Sequence, residues 1–279
     1  MGSCKKNFEG AETVMNNIQK LFGLSNKVVA VSGAGGYLGS CIATSIAAVG
    51  ANLALFDIEK SKERVEELAQ KLASEYGITA KAYAANIADE DEIAELAKTV
   101  VQTFGKIDGL VNCAGINHHA SIEGYSADDF NRMLSINVTG TFICCKHFGA
   151  YMCEHKSGSI VNIGSMSGHI VNMVPKVMVA YNTTKAAILH MTRAIAAEWG
   201  EYNVRCNSVS PGIMEHGMSN IKGFNPAETE YLEKMDDLTP MHRKIKAEEL
   251  VGAIIYFLSD SSSGTTGEDI LVDGGYHIW

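Results

Sequence analysis

The chain has 279 residues, 46% of them hydrophobic and 20% charged, with a formal net charge of −9. This is the composition of one large domain with a substantial core, and its acidic balance argues against nucleic acid or an anionic membrane as the main partner, because both require a basic face. No apolar run reaches the ~18 residues of a membrane span, and seven cysteines without a CxxC spacing or an accompanying histidine cluster read as reduced thiols of a cytoplasmic protein, with no metal expected.

Residues 1–26 read as an N-terminal extension. Its start, MGSCKKNFEG, lacks the apolar core of a secretory signal, and Lys6 stands where a myristoylation pattern wants Ser or Thr; the AETVMNNIQKLFG that follows is amphipathic. From Lys27 the pattern alternates. KVVAVSG is a β-branched run that leads through a glycine turn into helical GSCIATSIAAVG. ANLALFD is a second apolar run, followed by helical SKERVEELAQKLASEYG. TAKAYAANI precedes DEDEIAELAKTVVQTFG, and IDGLVNCAG precedes one long helical segment, DDFNRMLSINVTGTFICCKHFGAYMCEH. GSIVNIGS precedes the helix opened by AYNTTK. VRCNSVSPG precedes an irregular stretch, the helix AEELVGAIIYFLSD and a last run, DILVDGG. Apolar strand runs separated by helices predict an α/β fold: a single doubly wound parallel sheet of Rossmann type with helices on both faces, over residues 27–279.

Such a sheet binds ligands beyond the carboxyl ends of its strands. The first strand runs into SGAGGYLGS, whose Gly33, Gly35, Gly36 and Gly39 allow a tight turn and let phosphate approach backbone N–H groups at a helix N-terminus. Asp57 closes the second strand run. A carboxylate there accepts hydrogen bonds from ribose hydroxyls and repels a 2′-phosphate, so the sequence predicts NAD, with NADP disfavoured. Tyr181 and Lys185 are four residues apart, which puts a phenol and an ammonium on one helix face. Alone, such a pair reads as a lysine snorkelling beside a core tyrosine; together with a cationic nicotinamide, the ammonium is expected to lower the phenol's pKa from ~10 and ready it for proton transfer.

Taken together, NCAG (Asn112 to Gly115), Asn137 in SINVTG, Ser165 at the end of IVNIGS, YNTTK, SPG with Pro211 and Gly212, and the terminal VDGG resemble the short-chain dehydrogenase/reductase family from about Lys27 to Gly275. The resemblance implies hydride transfer between a nicotinamide dinucleotide and a secondary alcohol or ketone, with the family's catalytic Asn, Ser, Tyr and Lys falling on Asn137, Ser165, Tyr181 and Lys185. Tyr181 is then the acid/base, Lys185 tunes it and holds the nicotinamide ribose, Ser165 bonds the reacting oxygen, and Asn137 fixes a water. Cofactor contacts are implied along the glycine turn with Tyr37 and Leu38, at Asn86 and Ile87, at Asn112, Ala114 and Gly115, and at Pro211, Gly212 and Met214, besides Tyr181 and Lys185. Three positions depart from the family pattern. Tyr37 replaces a glycine, so Gly33, Gly36 and Gly39 fit the spacing of the epimerase-like branch. Asn86 stands for an aspartate, and His216 for a threonine.

The segment SGHIVN…P…AYN resembles polyol and keto-sugar reductases of the mannitol, sorbose and arabinitol types. Ser165, His119, His169, Asn172 and His216 are the expected substrate contacts, within a wider polar set that adds His118, Asn182 and Glu215. A substrate lid is expected over about 213–240, carrying Met214, Met218, Phe224, Tyr231 and Met235. Those apolar side chains leave open an apolar alcohol such as a steroid or acyl chain; a cofactor-retaining epimerase or lyase and a catalytically silent NAD-binding regulator are the remaining alternatives. The helix after Tyr181 is apolar nearly all round, and Phe142, Cys145 and Phe148 share another helix. Both suggest a partner subunit, and the resemblance implies a homotetramer.

Overall fold

Strand β1 (Val28–Ser32) is buried over its whole length, and its alternate residues feed two separate cores. Val29 and Val31 pack with Leu53, Leu55, Val111 and Val161 on one face of the sheet. Val28 and Ala30 pack with Ala54, Phe56, Leu110 and Ile160 on the other. That alternation is the period of two of a strand, and apolar residues on both faces need cover on both faces. The computed structural model describes residues 18, 20–118, 120–171, 178–216 and 235–278. Among them β1, β2 (Asn52–Asp57), β3 (Ala80–Ala84), β4 (Gly109–Asn112), β5 (Gly158–Ile163), β6 (Val204–Pro211) and β7 (Asp269–Val272) form one parallel sheet in the order β3-β2-β1-β4-β5-β6-β7. The doubly wound sheet expected from the sequence is the one observed.

Helices α1 (Tyr37–Ala48), α2 (Lys62–Tyr76) and α7 (Ala247–Leu258) cover the first face through stripes such as Ile42, Ile46, Val65, Leu72, Ile254 and Phe257. The opposite face is covered by α3 (Glu90–Phe104), α5 (Thr141–Glu154) and α6 (Val179–Trp199). Helix α3 shows how local chemistry sets the ends. The Asp89 carboxylate accepts from Glu92 N at 3.1 Å, an N-cap worth about 1 kcal/mol. Glu90, Asp91 and Glu92 meet the positive end of the helix dipole, and Gly105 closes it at φ +79. The stripe Ile93, Leu96, Ala97 and Val100 turns inward.

The segment expected as one long helix is interrupted. Helix α4 (Ala127–Leu134) passes into a widened π turn over Ser135–Gly140 before α5 begins. Gly140 lies so close to Ile87 that a Cβ there would come within 2.7 Å of its side chain. Within the turn, Asn137 is drawn off to other partners, and π turns of this kind recur at functional sites.

Two other expectations need correction. Cys145 and Phe148 do not face outward: both are fully buried among the α3 and α5 side chains, with Phe148 stacked on Phe56 at 5.7 Å, and Phe142 is the member of that trio left exposed. On α6, Ile188, Leu189 and Ala196 are likewise buried within the chain. The described end of the N-terminal extension is tied down, since Leu24 lies in the core and its N–H donates to Val49 O at 3.1 Å.

Candidate active site

The carboxyl ends of the strands open into one cavity of about 790 Å³. Its floor begins at the glycine turn. Gly33 adopts φ +69, and a Cβ there would meet Ala114 Cα and N at 2.8 Å. Gly39 is more constrained: a Cβ would stand 2.1 Å from Gly33 O, so only glycine lets α1 start this close to the strand. The Ser32 hydroxyl accepts from the N–H groups of Cys113 and Ala114 at 3.0 and 3.2 Å, which pins the chain after β4 beside the turn. Gly33, Gly36, Tyr37, Leu38 and Gly39 all line the cavity, as do Asn86 and Ile87, Ala114 and Gly115, and Pro211, Gly212 and Met214.

Two expected cofactor residues do not. Gly35 lies behind the wall, against Ser61 and Asp57, where a Cβ would come within 2.9 Å. Asn112 turns into the protein: its Nδ2 donates to Asn162 Oδ1 at 2.9 Å, and Asn162 Nδ2 donates to Thr192 Oγ1 at 2.9 Å. This buried polar chain joins β4, β5 and α6, so the Asn112 side chain is spent on packing.

Asp57 lines the cavity, but both of its oxygens hold backbone. Gly35 N donates to Oδ2 at 3.0 Å and Ile58 N to Oδ1 at 2.8 Å, so the carboxylate shapes the turn, and Lys60 lines the same end. Around the cavity, the cations Lys60, Arg132, Lys185 and Lys244 outnumber the carboxylates Asp57 and Glu215, in a chain whose net charge is −9. Neither Arg132 nor Lys244 carries a sequence signal of its own. Arg132 reaches the wall from the last turn of α4, just before the widened turn that holds Asn137, and Lys244 stands beside the bridge between Met214 and Ile245. A turn that excludes side chains, followed by a cation-rich trough across the strand ends, fits an elongated anionic dinucleotide.

At the far end, Ser165, Tyr181 and Lys185 converge, each buried yet lining the cavity. The Ser165 hydroxyl lies beside the Tyr181 phenol, near enough to favour its ionised form. Lys185 Nζ donates to Ile163 O at 2.8 Å and lies over the Tyr181 ring, 5.6 Å from its centroid. Burial pushes the phenol's pKa up to about 12, with Ser165 pulling against it. Burial also brings Lys185 down from 10.5 to about 8. The expected lowering of the phenol by its neighbour is therefore not what this geometry produces. The ammonium is aimed at the Ile163 carbonyl and faces the ring, and desolvation outweighs it.

Asn137 sits just behind the wall. Its Oδ1 accepts from Ile116 N at 2.8 Å, and its Nδ2 donates to Ile116 O at 2.9 Å and Thr184 Oγ1 at 3.2 Å. Its amide thus ties the loop after β4 to α6. Thr184 was not foreseen, although it directly precedes Lys185.

Of the expected substrate contacts, Ser165 and His216 line the cavity; the His216 ring meets Tyr37 edge-on at 5.1 Å and 74°. His169 does not line it. Its Nε2 donates to Asp269 Oδ2 at 2.7 Å instead. His118 packs edge-on against Tyr125 and is also absent from the wall, whereas Glu215 belongs to it. His119 and Asn172 lie outside the described residues, as do Met218, Phe224 and Tyr231 of the expected lid; Met214 and Met235 line the cavity.

Residues 33–277 match the family model described as enoyl-(acyl carrier protein) reductase. The chain is 38% identical to an NADP-dependent mannitol dehydrogenase of Hypocrea jecorina, over 94% of this chain and 96% of that protein. It is 34% identical to a sorbose reductase of Candida albicans, over 95% and 92%. Among solved structures, a short-chain type dehydrogenase/reductase from Mycobacterium marinum superposes with a TM-score of 0.84 at 31% identity, over 92% of this chain and 98% of that one. The mannitol dehydrogenase is named for NADP, which overturns the expectation of NAD drawn from Asp57. The physical reason is that this carboxylate is held by two backbone N–H groups, with Lys60 lining the same end of the cavity.

Proposed function

The chain belongs to the short-chain dehydrogenase/reductase family, and from that premise we propose that it is an NADP-dependent oxidoreductase interconverting a sugar alcohol and its ketose. The observation that carries this reading is the convergence of Ser165, Tyr181 and Lys185 at one end of a cation-lined trough. A nicotinamide bound there supplies or takes up the hydride. The glycine turn and the start of α1 would hold its phosphates, Lys60 would pair with a 2′-phosphate, and Gly115 and Pro211 to Met214 would hold the nicotinamide end.

The remaining chemistry belongs to the chain. In ketone reduction the Tyr181 hydroxyl would give its proton to the carbonyl oxygen. In oxidation the phenolate takes that proton back. A phenol raised to about 12 is fully protonated at neutral pH, the form reduction needs. Ser165 donates to the substrate oxygen and stabilises its developing negative charge. Lys185, over the ring, offsets the charge of the phenolate, and Asn137 braces Ile116 against α6.

Ser165, with Glu215 and His216 further along the same wall, gives a polyhydroxy substrate hydrogen-bonding partners. A second reading, the same chemistry on an apolar ketone, is favoured by Met166, Met178 and Met235 in the wall. NADPH oxidation measured across ketoses and across steroid and acyl ketones separates the two: turnover confined to the apolar set overturns the sugar reading. Lys60→Ala tests the cofactor, with NADPH binding expected about tenfold weaker, about 1.4 kcal/mol, and NADH unchanged; equal weakening of both refutes the role of Lys60.

A homo-oligomer, a tetramer by family resemblance, is part of this reading, and the exposed Phe142 on α5 with the outward Ala186, Ala194 and Ala197 on α6 offers it apolar surface. The six described cysteines are free thiols, in keeping with a reducing, cytoplasmic setting. Light scattering that gives a monomer's mass at micromolar concentration refutes the assembly.

A further inference from the structure

The turn that begins at Ser165 is a rigid unit. Ser167 N donates to Ser165 Oγ at 3.1 Å, Gly168 N to Ser165 O at 2.9 Å, and His169 N and Ile170 N to Met166 O at 2.9 and 3.0 Å. Internal bonds fix the shape of such a unit and leave its seat to outside contacts. Among the described residues, two outside contacts bear on that seat. Gly168 lies flush on α6, where a Cβ would come within 2.9 Å of Lys185 O and 2.7 Å of Leu189. On the other side, His169 Nε2 donates to Asp269 Oδ2 at 2.7 Å, and Ser210 Oγ donates to Asp269 Oδ1 at 2.9 Å.

Asp269 opens β7 and its side chain is only 5% exposed, so both oxygens need partners. Its neighbour Ser210 lies on β6 and passes so close to Gly164 that a Cβ there would be 2.4 Å from Oγ. Gly164 is the residue immediately before Ser165. The Asp269 carboxylate, on edge strand β7, is thus a point to which β6, through Ser210, and the far end of the Ser165 turn, through His169, are both tied.

We propose that His169 is a positioning residue, which through Asp269 and Ser210 seats the turn so that the Ser165 hydroxyl meets the Tyr181 phenol. The proposal rests on the reading of Ser165 as the hydroxyl that binds the substrate oxygen. His169 touches neither the cavity nor the phenol and acts only through the turn it anchors. Misplacing a reacting group by about 1 Å costs up to about 100-fold in rate. His169→Ala is therefore expected to lower kcat about 10- to 100-fold, with NADPH affinity within twofold of the unmodified chain.

The test is a cycle of His169→Ala, Ser165→Ala and the double variant, assayed with NADPH and a ketose that the unmodified chain reduces. His169→Gln, which keeps an N–H donor of similar reach, serves as the rescue. The expected result is that His169→Ala costs less than a further twofold once Ser165 is alanine, and that His169→Gln recovers most of kcat. Full additivity of the two losses overturns the proposal. So does a His169→Ala protein that melts earlier yet keeps its kcat per folded molecule, because that is the mark of a purely structural contact. If Ser165→Ala alone leaves kcat unchanged, the role assigned to Ser165 fails, and the clamp loses its purpose with it.

Discussion

Replacing Lys185 with methionine should stabilise the fold while destroying the activity. Burial takes the Lys185 pKa from 10.5 to about 8. That gap, at about 1.36 kcal/mol per pH unit, is about 3 kcal/mol of unfavourable free energy when the ammonium is charged in the folded chain. Methionine has similar length and no charge, but it forfeits the bond from Nζ to Ile163 O, a charged donor's contribution of about 1.5–3 kcal/mol. At pH 7 the variant is therefore expected to be about 1 kcal/mol more stable. The sign of the pH dependence is the sharper test. Between pH 8 and 10.5 the folded chain binds fewer protons at this site than the unfolded one, so the unmodified protein gains stability as pH rises. The cost is fully present below about 8 and gone above 10.5. Urea unfolding at pH 7, 9 and 10.5 should show the stability difference between the two proteins moving by about 3 kcal/mol in favour of lysine. Comparing the two chains at each pH cancels the other titrating groups. A difference constant to within 1 kcal/mol would mean that the ammonium is not desolvated, and the account of the site would fall with it.

Tyr181→Phe should lower turnover by about 10²- to 10⁴-fold while NADPH still binds; persistent reduction of a ketose would remove the phenol from the proton path. Gly39→Ala places a methyl 2.1 Å from Gly33 O, an overpacking of at least about 1–3 kcal/mol, and should weaken NADPH binding at least tenfold with a fall in Tm. Unchanged affinity in a fluorescence titration would show that phosphate is bound elsewhere. Because burial holds Tyr181 near 12, the phenolate fraction below that pH rises tenfold per unit. Log kcat/KM for alcohol oxidation should therefore climb with a slope near one from about pH 6 to 8, while ketone reduction stays level; a level oxidation profile contradicts the assignment.

The sheet was legible because its strands read as continuous apolar runs and its helices as stripes, and both patterns survive into the two cores on either side of β1. Tyr181 and Lys185 were legible as a pair from their four-residue spacing on one helix face, and Ser165 was joined to them by the family resemblance of its motif. What failed depended on where side chains turn. Nothing local says that Asn112 points inward to Asn162, since the partner is 50 residues away. His169 reads as a free polar loop residue until β7 brings Asp269 to it, 100 residues on. Asp57 misled for a different reason: the carboxylate is where a ribose-binding group should be, but two backbone N–H groups already hold it. The π turn at Ser135–Gly140 was hidden because its residues keep a helical hydrophobic spacing on either side.

The order of the strands also bears on how the chain is made. β1 lies between β2 and β4, and Val28 N reaches Asp108, 80 residues further along. On a ribosome adding about 5–20 residues per second, that partner arrives about 4–16 s after β1 has left the exit tunnel. For that interval a strand of four apolar residues and a serine has one hydrogen-bonding edge open, the template on which nascent chains aggregate. Translation stalled before Asn112 should accordingly yield chains that precipitate or remain on chaperones, whereas release beyond it lets the first half of the sheet close upon itself.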